Sequence, residues 1–138
     1  MKISFTVPGQ PQGKGRAKVT TRNGFAHAYT PEKTILYENL IKMCFLETKA
    51  ERLQGALEMT IFAFYQVPKS FTKKKRNDAL NGNLTPQTKP DVDNIAKVVC
   101  DALNGVAYED DKQIVELTVK KYYSGCPEVI IDIAEVLW

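Results

Sequence analysis

The sequence predicts a single α+β domain: a small mixed sheet with two main helices packed on it, closed by a β-hairpin. Three observations support this. Residues 2–7 alternate polar and apolar, as a strand does. Residues 31–49 and 91–104 repeat apolar side chains at helical spacing. Residues 113–123 and 128–136 alternate again, on either side of a short turn. A length of 138 residues fits one domain, residues 1–138, with a real core.

Composition excludes several classes of protein. Hydrophobic residues make up 43% of the chain and charged residues 25%, as in globular rather than disordered proteins. The longest apolar run, Ile61–Tyr65, is far shorter than the ~20 residues of a membrane span, and the N-terminus lacks a signal-peptide core. The three cysteines, Cys44, Cys100 and Cys126, show no Cys-x-x-Cys spacing. We therefore expect neither a disulfide framework nor a zinc knuckle, and we expect a cytoplasmic protein.

Strands and loops follow from local signals. A Gly- and Pro-rich loop over residues 8–16 follows the first strand. Residues 18–30 are typical of a hairpin, with Asn23-Gly24 at its turn. Residues 56–66 form the most apolar strand candidate. We expect this strand and the strand at 128–136 to lie at edges of the sheet, where a partner would cover them.

The helices have start signals of their own. Thr30 is the expected cap of the first helix, with Pro31 at its first position. Ser70 is the expected cap of a short helix that ends near Asn81-Gly82. The apolar residues of the first helix recur at helical spacing to about residue 49: Ile35, Leu36, Ile41, Phe45 and Leu46. The last helix has an apolar stripe of Ile95, Val98, Val99, Ala102 and Leu103.

Charge is divided unevenly along the chain. Residues 1–90 contain 15 Lys/Arg and 6 Asp/Glu, a net charge of +9, whereas residues 91–138 contain 4 and 10, a net charge of −6. This division indicates a basic surface beside an acidic centre, although a solvated face is the simpler alternative. Two segments concentrate the positive charge and suit the phosphates of a nucleic acid: Lys14, Arg16, Lys18 and Arg22, and Lys73, Lys74, Lys75 and Arg76.

Two acidic pairs flank the last helix. Asp91 and Asp93 stand one residue apart at its start, and their carboxylates repel each other unless a cation lies between them. Asp110 and Asp111 follow the helix, and the returning strand can bring them beside the first pair. Oxygen-rich sites of this kind suit Mg²⁺ or Mn²⁺. Convergent carboxylates are the usual design of metal-dependent phosphodiester cleavage.

Simpler interpretations of the same residues exist. Asp91 or Asp93 can be a plain helix cap. Lys97 can be the helical ion-pair partner of Asp93, and Asp110-Asp111 can be a solvated turn. The lone His27 has no partners for a Ser-His-Asp arrangement.

The acidic segment resembles a known family. Lys89-Pro90-Asp91-Val92-Asp93-Asn94-Ile95-Ala96-Lys97, then Asp101-Ala102-Leu103, then Asp110-Asp111-Lys112-Gln113-Ile114, is similar to the RusA family of Holliday-junction resolvases of bacteria, prophages and phages. The similarity is close from about Lys89 to Val119 and looser outside it. It implies an α+β, dimeric, Mg²⁺-dependent endonuclease of DNA recombination and repair that cuts four-way junctions by paired nicks.

The resemblance also assigns roles by position. It implies that Asp91, Asp93 and Asp111 are the catalytic carboxylates that bind Mg²⁺, with Mn²⁺ able to substitute. Lys97 matches the family's essential lysine. Asp110 and Asn94 have supporting roles.

The implied partners are branched DNA, above all four-way junctions, and a second copy of the chain in an intertwined or face-to-face homodimer. The implied location is the nucleoid of a bacterial or phage-infected cell. Two alternatives remain open: a metal-dependent nuclease of the same fold that acts on flaps, forks or other branched DNA, and a non-catalytic DNA-binding module.

Overall fold

The computed structural model describes residues 1–137, except for the side chain of Arg22. Within this part of the chain the strands are β1 (Lys2–Pro8), β2 (Lys18–Arg22), β3 (Phe25–Tyr29), β4 (Leu57–Gln66), β5 (Ile114–Ser124) and β6 (Glu128–Glu135). The helices are α1 (Glu32–Glu47), α2 (Lys73–Leu80), α3 (Val92–Leu103) and a short 3-10 helix (Asp111–Gln113). The α+β class is confirmed.

A four-stranded mixed sheet forms the centre, in the order β1-β6-β4-β5. β6 pairs antiparallel with β1 and with β4, whereas β4 and β5 run parallel. A parallel pair needs a long crossover connection, and here that connection contains α2 and α3. The alternating side chains of β1 bury Ile3, Phe5 and Val7 and expose their neighbours, as the sequence predicts.

The predicted closing hairpin is wrong. β5 and β6 follow each other along the chain, but β4 lies between them and pairs with both. β4 is also an inner strand, as is β6, so the expectation that these two lie at the edges is wrong as well; β1 and β5 are the edges. The reason is hydrophobicity. Every second residue of β4 is fully buried and most of the others are half-buried, whereas β5 exposes Val115, Glu116 and Leu117.

α1 and α3 pack against each other and share one core with the sheet. The predicted stripe of α3 is buried in full. In α1 the buried side chains are Thr34, Tyr37, Ile41 and Phe45, of which Ile41 and Phe45 belong to the apolar residues noted in the sequence. Their spacing of three and four residues keeps them on one face, whereas Ile35, Leu36 and Leu46 point away from that face and are exposed.

The helix starts differ from the predicted caps by one or two residues. Pro31, rather than Thr30, occupies the cap position of α1 and makes no side-chain capping bond. Thr72, rather than Ser70, caps α2, because its hydroxyl accepts a hydrogen bond of 3.2 Å from the Lys75 N–H. A cap must lie within reach of the second or third helical amide, and Ser70 lies too far back.

The predicted hairpin is confirmed as a separate two-stranded sheet of β2 and β3. Asn23 and Gly24 both have positive φ angles, 53° and 79°, as a tight hairpin turn requires. All five residues of β3 are exposed, so the hairpin adds nothing to the core. No helix in residues 1–137 is long and apolar enough to cross a lipid bilayer.

Candidate functional site

The first acidic pair lies at the start of α3 with its carboxylates available. Asp91 occupies the cap position, but its side chain makes no capping hydrogen bond. Asp93 lies in the first turn. Both side chains are exposed, and neither pairs with a cation in the described part of the chain. The structure therefore does not support the plain-cap interpretation of Asp91.

Two side chains of the sheet hold the segment that leads into Asp91. The hydroxyl of Tyr65 in β4 donates a hydrogen bond of 2.6 Å to the Pro90 carbonyl. Lys121 in β5 donates a bond of 2.6 Å to the Thr88 carbonyl, and its ammonium lies 4.9 Å from the centre of the Tyr65 ring. Burial raises the pKa of Tyr65, and the negative charge of Asp91 raises it further. The hydroxyl therefore remains a donor at ordinary pH.

Sequence reasoning missed Tyr65 and Lys121. Their only signal was the alternation of strands β4 and β5, which places both on the helix side of the sheet. Pairing of Ala63 with Lys121 and of Tyr65 with Tyr123 brings them together only once the parallel register is known.

In the second acidic pair, Asp110 has a structural role, whereas the carboxylate of Asp111 remains available to bind a ligand. The Asp110 carboxylate accepts a bond of 3.0 Å from the Lys112 N–H and so caps the 3-10 helix. Gln113 completes this turn by accepting the Asp110 N–H at 3.1 Å. The Asp111 N–H donates to the side-chain oxygen of Asn104 at 3.2 Å, which ties the turn to the end of α3. The sequence did not indicate this role of Asn104.

Asp111 lies beside the polar stripe of α3, which contains Asp93, Lys97 and Asp101. Burial raises the pKa of Asp111, and the carboxylates of Asp110 and Asp101 raise it further, while the nearby Lys97 ammonium acts in the opposite direction. Lys97 pairs with Asp101 at 3.7 Å and not with Asp93, its other possible partner along the helix. Its side chain is 62% exposed, so the ammonium remains accessible.

Metal binding depends on how closely these carboxylates group. Carboxylate oxygens are the donors that Mg²⁺ prefers, and the unpaired Asp91 and Asp93 supply them one residue apart. Among the described residues, however, no three Asp, Glu, His or Cys side chains group closely enough to hold an ion. The single chain thus brings Asp111 to α3, but it does not assemble a closed three-carboxylate cluster with Asp91 and Asp93.

A partly buried ion-pair network lies behind the stripe. The Lys14 ammonium contacts Glu38 at 2.9 Å and Asp101 at 3.2 Å, and the Lys14 side chain is 19% exposed. Burial lowers the pKa of Lys14, but the two carboxylates more than offset that effect, so the pKa is raised. The sequence predicted that Lys14 contacts DNA. In the structure its ammonium instead pairs with Glu38 and Asp101 within the protein.

The other predicted basic residues are exposed. Lys73, Lys74, Lys75 and Arg76 project from α2, with the Lys75 ammonium 4.4 Å from the centre of the Phe71 ring. Arg16 and Lys18 are also exposed. The side chain of Arg22 lies outside the described residues. Asn94, the predicted supporting residue, lines a cavity beside Asp91.

The fold and site together define an α+β protein that presents unpaired carboxylates beside a cation-lined cavity, an arrangement suited to acting on phosphodiesters. A family model described as Endodeoxyribonuclease RusA matches residues 8–134. The chain belongs to this family of endodeoxyribonucleases, and the resemblance inferred from residues 89–119 is confirmed. A relative from Bacillus subtilis (strain 168), "Uncharacterized protein YqaN", is 40% identical over 137 residues, which cover 97% of this chain and 96% of the relative.

Proposed function

We propose that this protein is a structure-specific endodeoxyribonuclease that resolves four-way DNA junctions by paired, Mg²⁺-dependent cleavage of two strands. The observation that supports this most is the pair of unpaired carboxylates, Asp91 and Asp93, inside the region that matches the family. Two like charges one residue apart do not stabilise a fold, whereas a bound divalent cation would use both as oxygen ligands.

The proposed roles follow from position and exposure. Asp91, Asp93 and Asp111 would hold Mg²⁺, which Mn²⁺ can replace, once they come closer together than the single chain holds them; when bound, the ion supplies Lewis-acid activation of the phosphoryl group and of water. The exposed ammonium of Lys97 stabilises negative charge that develops on the phosphate. Asp110 fixes the turn that carries Asp111.

The binding surface is the basic half of the chain. Exposed Arg16, Lys18 and the α2 block Lys73–Arg76 offer positive charge to DNA phosphates, so affinity should fall steeply with salt. A four-way junction has near two-fold symmetry, and its resolution requires two cuts. A C₂ homodimer matches that symmetry. α1 exposes apolar side chains that a second copy can cover: Leu36, Met43 and Leu46.

The decisive experiment is incubation with a synthetic mobile four-way junction and Mg²⁺, with nicks mapped on all four strands. We expect paired nicks from the wild-type protein. Asp93→Asn should abolish them while junction binding persists, because the basic surface is unchanged. Asp132→Asn is the matched control, since Asp132 lies in β6 and accepts a bond from Ser4. Normal nicking by Asp93→Asn would refute the assignment.

Two further measurements separate the alternatives. Comparable rates on flaps or three-way DNA would identify a general branched-DNA nuclease. Binding without cleavage in Mg²⁺ or Mn²⁺ would identify a non-catalytic module. A rise in melting temperature on adding Mn²⁺, absent in Asp93→Asn, would show metal binding at this site independently of activity.

A further inference from the structure

A cavity opens beside Asp91. Its volume is about 750 Å³. Three segments form its walls: the loop Pro11–Arg16 between β1 and β2, the start of α1, and the residues Lys89–Asp91 that lead into α3. The cavity therefore adjoins one of the proposed metal-binding carboxylates, although the segments that form it come from distant parts of the chain.

The charge of the cavity is positive. Arg16, Lys33 and Lys89 line it, all three are exposed, and none of them pairs with a carboxylate within residues 1–137. Asp91 is the acidic residue among those that line it. Three uncompensated cations against one carboxylate favour an anion of low charge, such as a phosphodiester. Sequence reasoning singled out Arg16 but neither Lys33 nor Lys89 as phosphate contacts.

The wall formed by the loop is fixed rather than flexible. The Lys14 N–H donates to the Asn94 carbonyl at 3.1 Å, and the Gly15 N–H donates to the Thr34 hydroxyl at 3.0 Å. A Cβ at Gly13 would lie 2.9 Å from the Cβ atoms of Pro90 and Asn94. The glycine therefore lets the loop approach the start of α3 closely.

The side chain of Lys14 also attaches the loop to the two helices. Its ammonium joins Glu38 of α1 and Asp101 of α3, so one side chain of the loop links both helices. A cation that satisfies two half-buried carboxylates is not available for DNA without leaving both unpaired, which is costly.

We propose that this cavity is a subsite for a DNA phosphodiester neighbouring the one that is cut. Arg16, Lys33 and Lys89 contact the phosphate, whereas Lys14 is a positioning residue that fixes the wall with Glu38 and Asp101. This inference rests on the proposed function, and it separates the basic residues near Asp91 into two groups with different measurable effects.

The first test measures junction binding in EDTA, without cleavage, at several salt concentrations. Each of Arg16→Gln, Lys33→Gln and Lys89→Gln should make the slope of log K against log salt shallower, by at most about 0.9 per subsite, because the three residues share one phosphate. Lys14→Gln should leave the slope unchanged. Lys2→Gln, an exposed lysine of β1 outside the cavity, is the matched control and should also leave it unchanged. Circular dichroism confirms that each variant is folded.

The second test locates the phosphate. Single uncharged methylphosphonates are placed at positions around the mapped nick. At one position the neutral linkage should weaken binding of the wild type more than it weakens binding of Lys89→Gln, which has already lost one of the three contacts. Additive losses at every position would overturn the subsite, as would unchanged slopes in all three cavity variants. A slope change in Lys14→Gln would overturn the positioning role. If the wild type binds no branched DNA, the proposed function fails instead.

Discussion

The Tyr65 hydroxyl donates a hydrogen bond of 2.6 Å to the carbonyl of Pro90, the residue before Asp91. A core side chain of the central strand thus fixes the backbone from which a proposed metal ligand projects. Tyr65 is 2% exposed, and its hydrogen bond to Pro90 is partly buried. The carboxylate of Asp91, a proposed metal ligand, is exposed, whereas the Tyr65 side chain that holds the preceding backbone is buried.

Tyr65→Phe should reduce the cleavage rate more than a core substitution of equal stability loss does. The change leaves the Pro90 carbonyl without its partner, at a cost of about 1–3 kcal/mol, and frees the segment before Asp91. We expect a lower kcat with nearly unchanged junction affinity. Ile133→Val, which costs about 0.5–1.5 kcal/mol in the core and is far from the segment in sequence, is the control of comparable stability. Equal kcat losses in the two variants would mean that Tyr65 acts through stability alone.

Gly13→Ala should displace the loop that forms the cavity wall. Its Cβ would lie 2.9 Å from two carbon atoms, closer than real Cβ atoms come, so we expect a loss of roughly 1–3 kcal/mol and slower cleavage. Gly125→Ala has nothing within 4 Å and is the control. Urea unfolding and cleavage rates measure the two effects. Wild-type stability in Gly13→Ala would contradict the close approach.

Substitutions at Lys97 and in the α2 block should affect different steps: turnover in the first case and DNA binding in the second. Lys97 is 62% exposed and pairs loosely at 3.7 Å, so Lys97→Ala should change stability by less than about 1 kcal/mol. We expect it to lower maximal turnover far more than affinity. Neutralising Lys73–Arg76 should weaken binding and flatten its salt dependence while saturated cleavage survives. A Lys97→Ala protein with normal kcat and weaker binding would contradict the assigned role.

The Lys14 network should stabilise the fold only while Lys14 is protonated. The folded pKa lies above the ordinary 10.5, so the stabilisation is fully present below about pH 10.5 and is lost as pH rises through the folded pKa. The difference in unfolding free energy between wild type and Lys14→Met should be constant from pH 7 to about pH 10, at roughly 1–3 kcal/mol. It should then shrink. A difference that grows in this range would reverse the sign of the effect.

A homodimer with one acidic site per subunit should be detectable when wild-type and inactive subunits are combined. Co-refolded wild type and Asp93→Asn should contain heterodimers that nick one strand of a junction instead of two. Tagged subunits allow the heterodimer to be purified before the assay. A monomer in sedimentation at micromolar concentration, with and without DNA, would overturn the dimer.

Sequence signals between residues only a few positions apart predicted most of the helices and strands. The hairpin of residues 18–30, the strand at 56–66 and the buried stripe of α3 were confirmed within a residue or two. These features depend on local periodicity and turn chemistry. The acidic motif around Asp91 and Asp93 was visible for the same reason, since its residues adjoin in sequence and its pattern matches the family.

The order of the strands in the sheet was decided by the tertiary structure. Insertion of β4 between β5 and β6 has no local signal, because a strand pairs with whichever neighbour buries its apolar faces best. The sequence by itself therefore determined the elements, the acidic motif and the family. Only the tertiary structure decided that Lys14 bonds to Glu38 and Asp101 and that Tyr65 supports Pro90. Such contacts join residues from 24 to 87 positions apart in the chain, and the close packing of the whole core fixes them rather than any property of the segments alone.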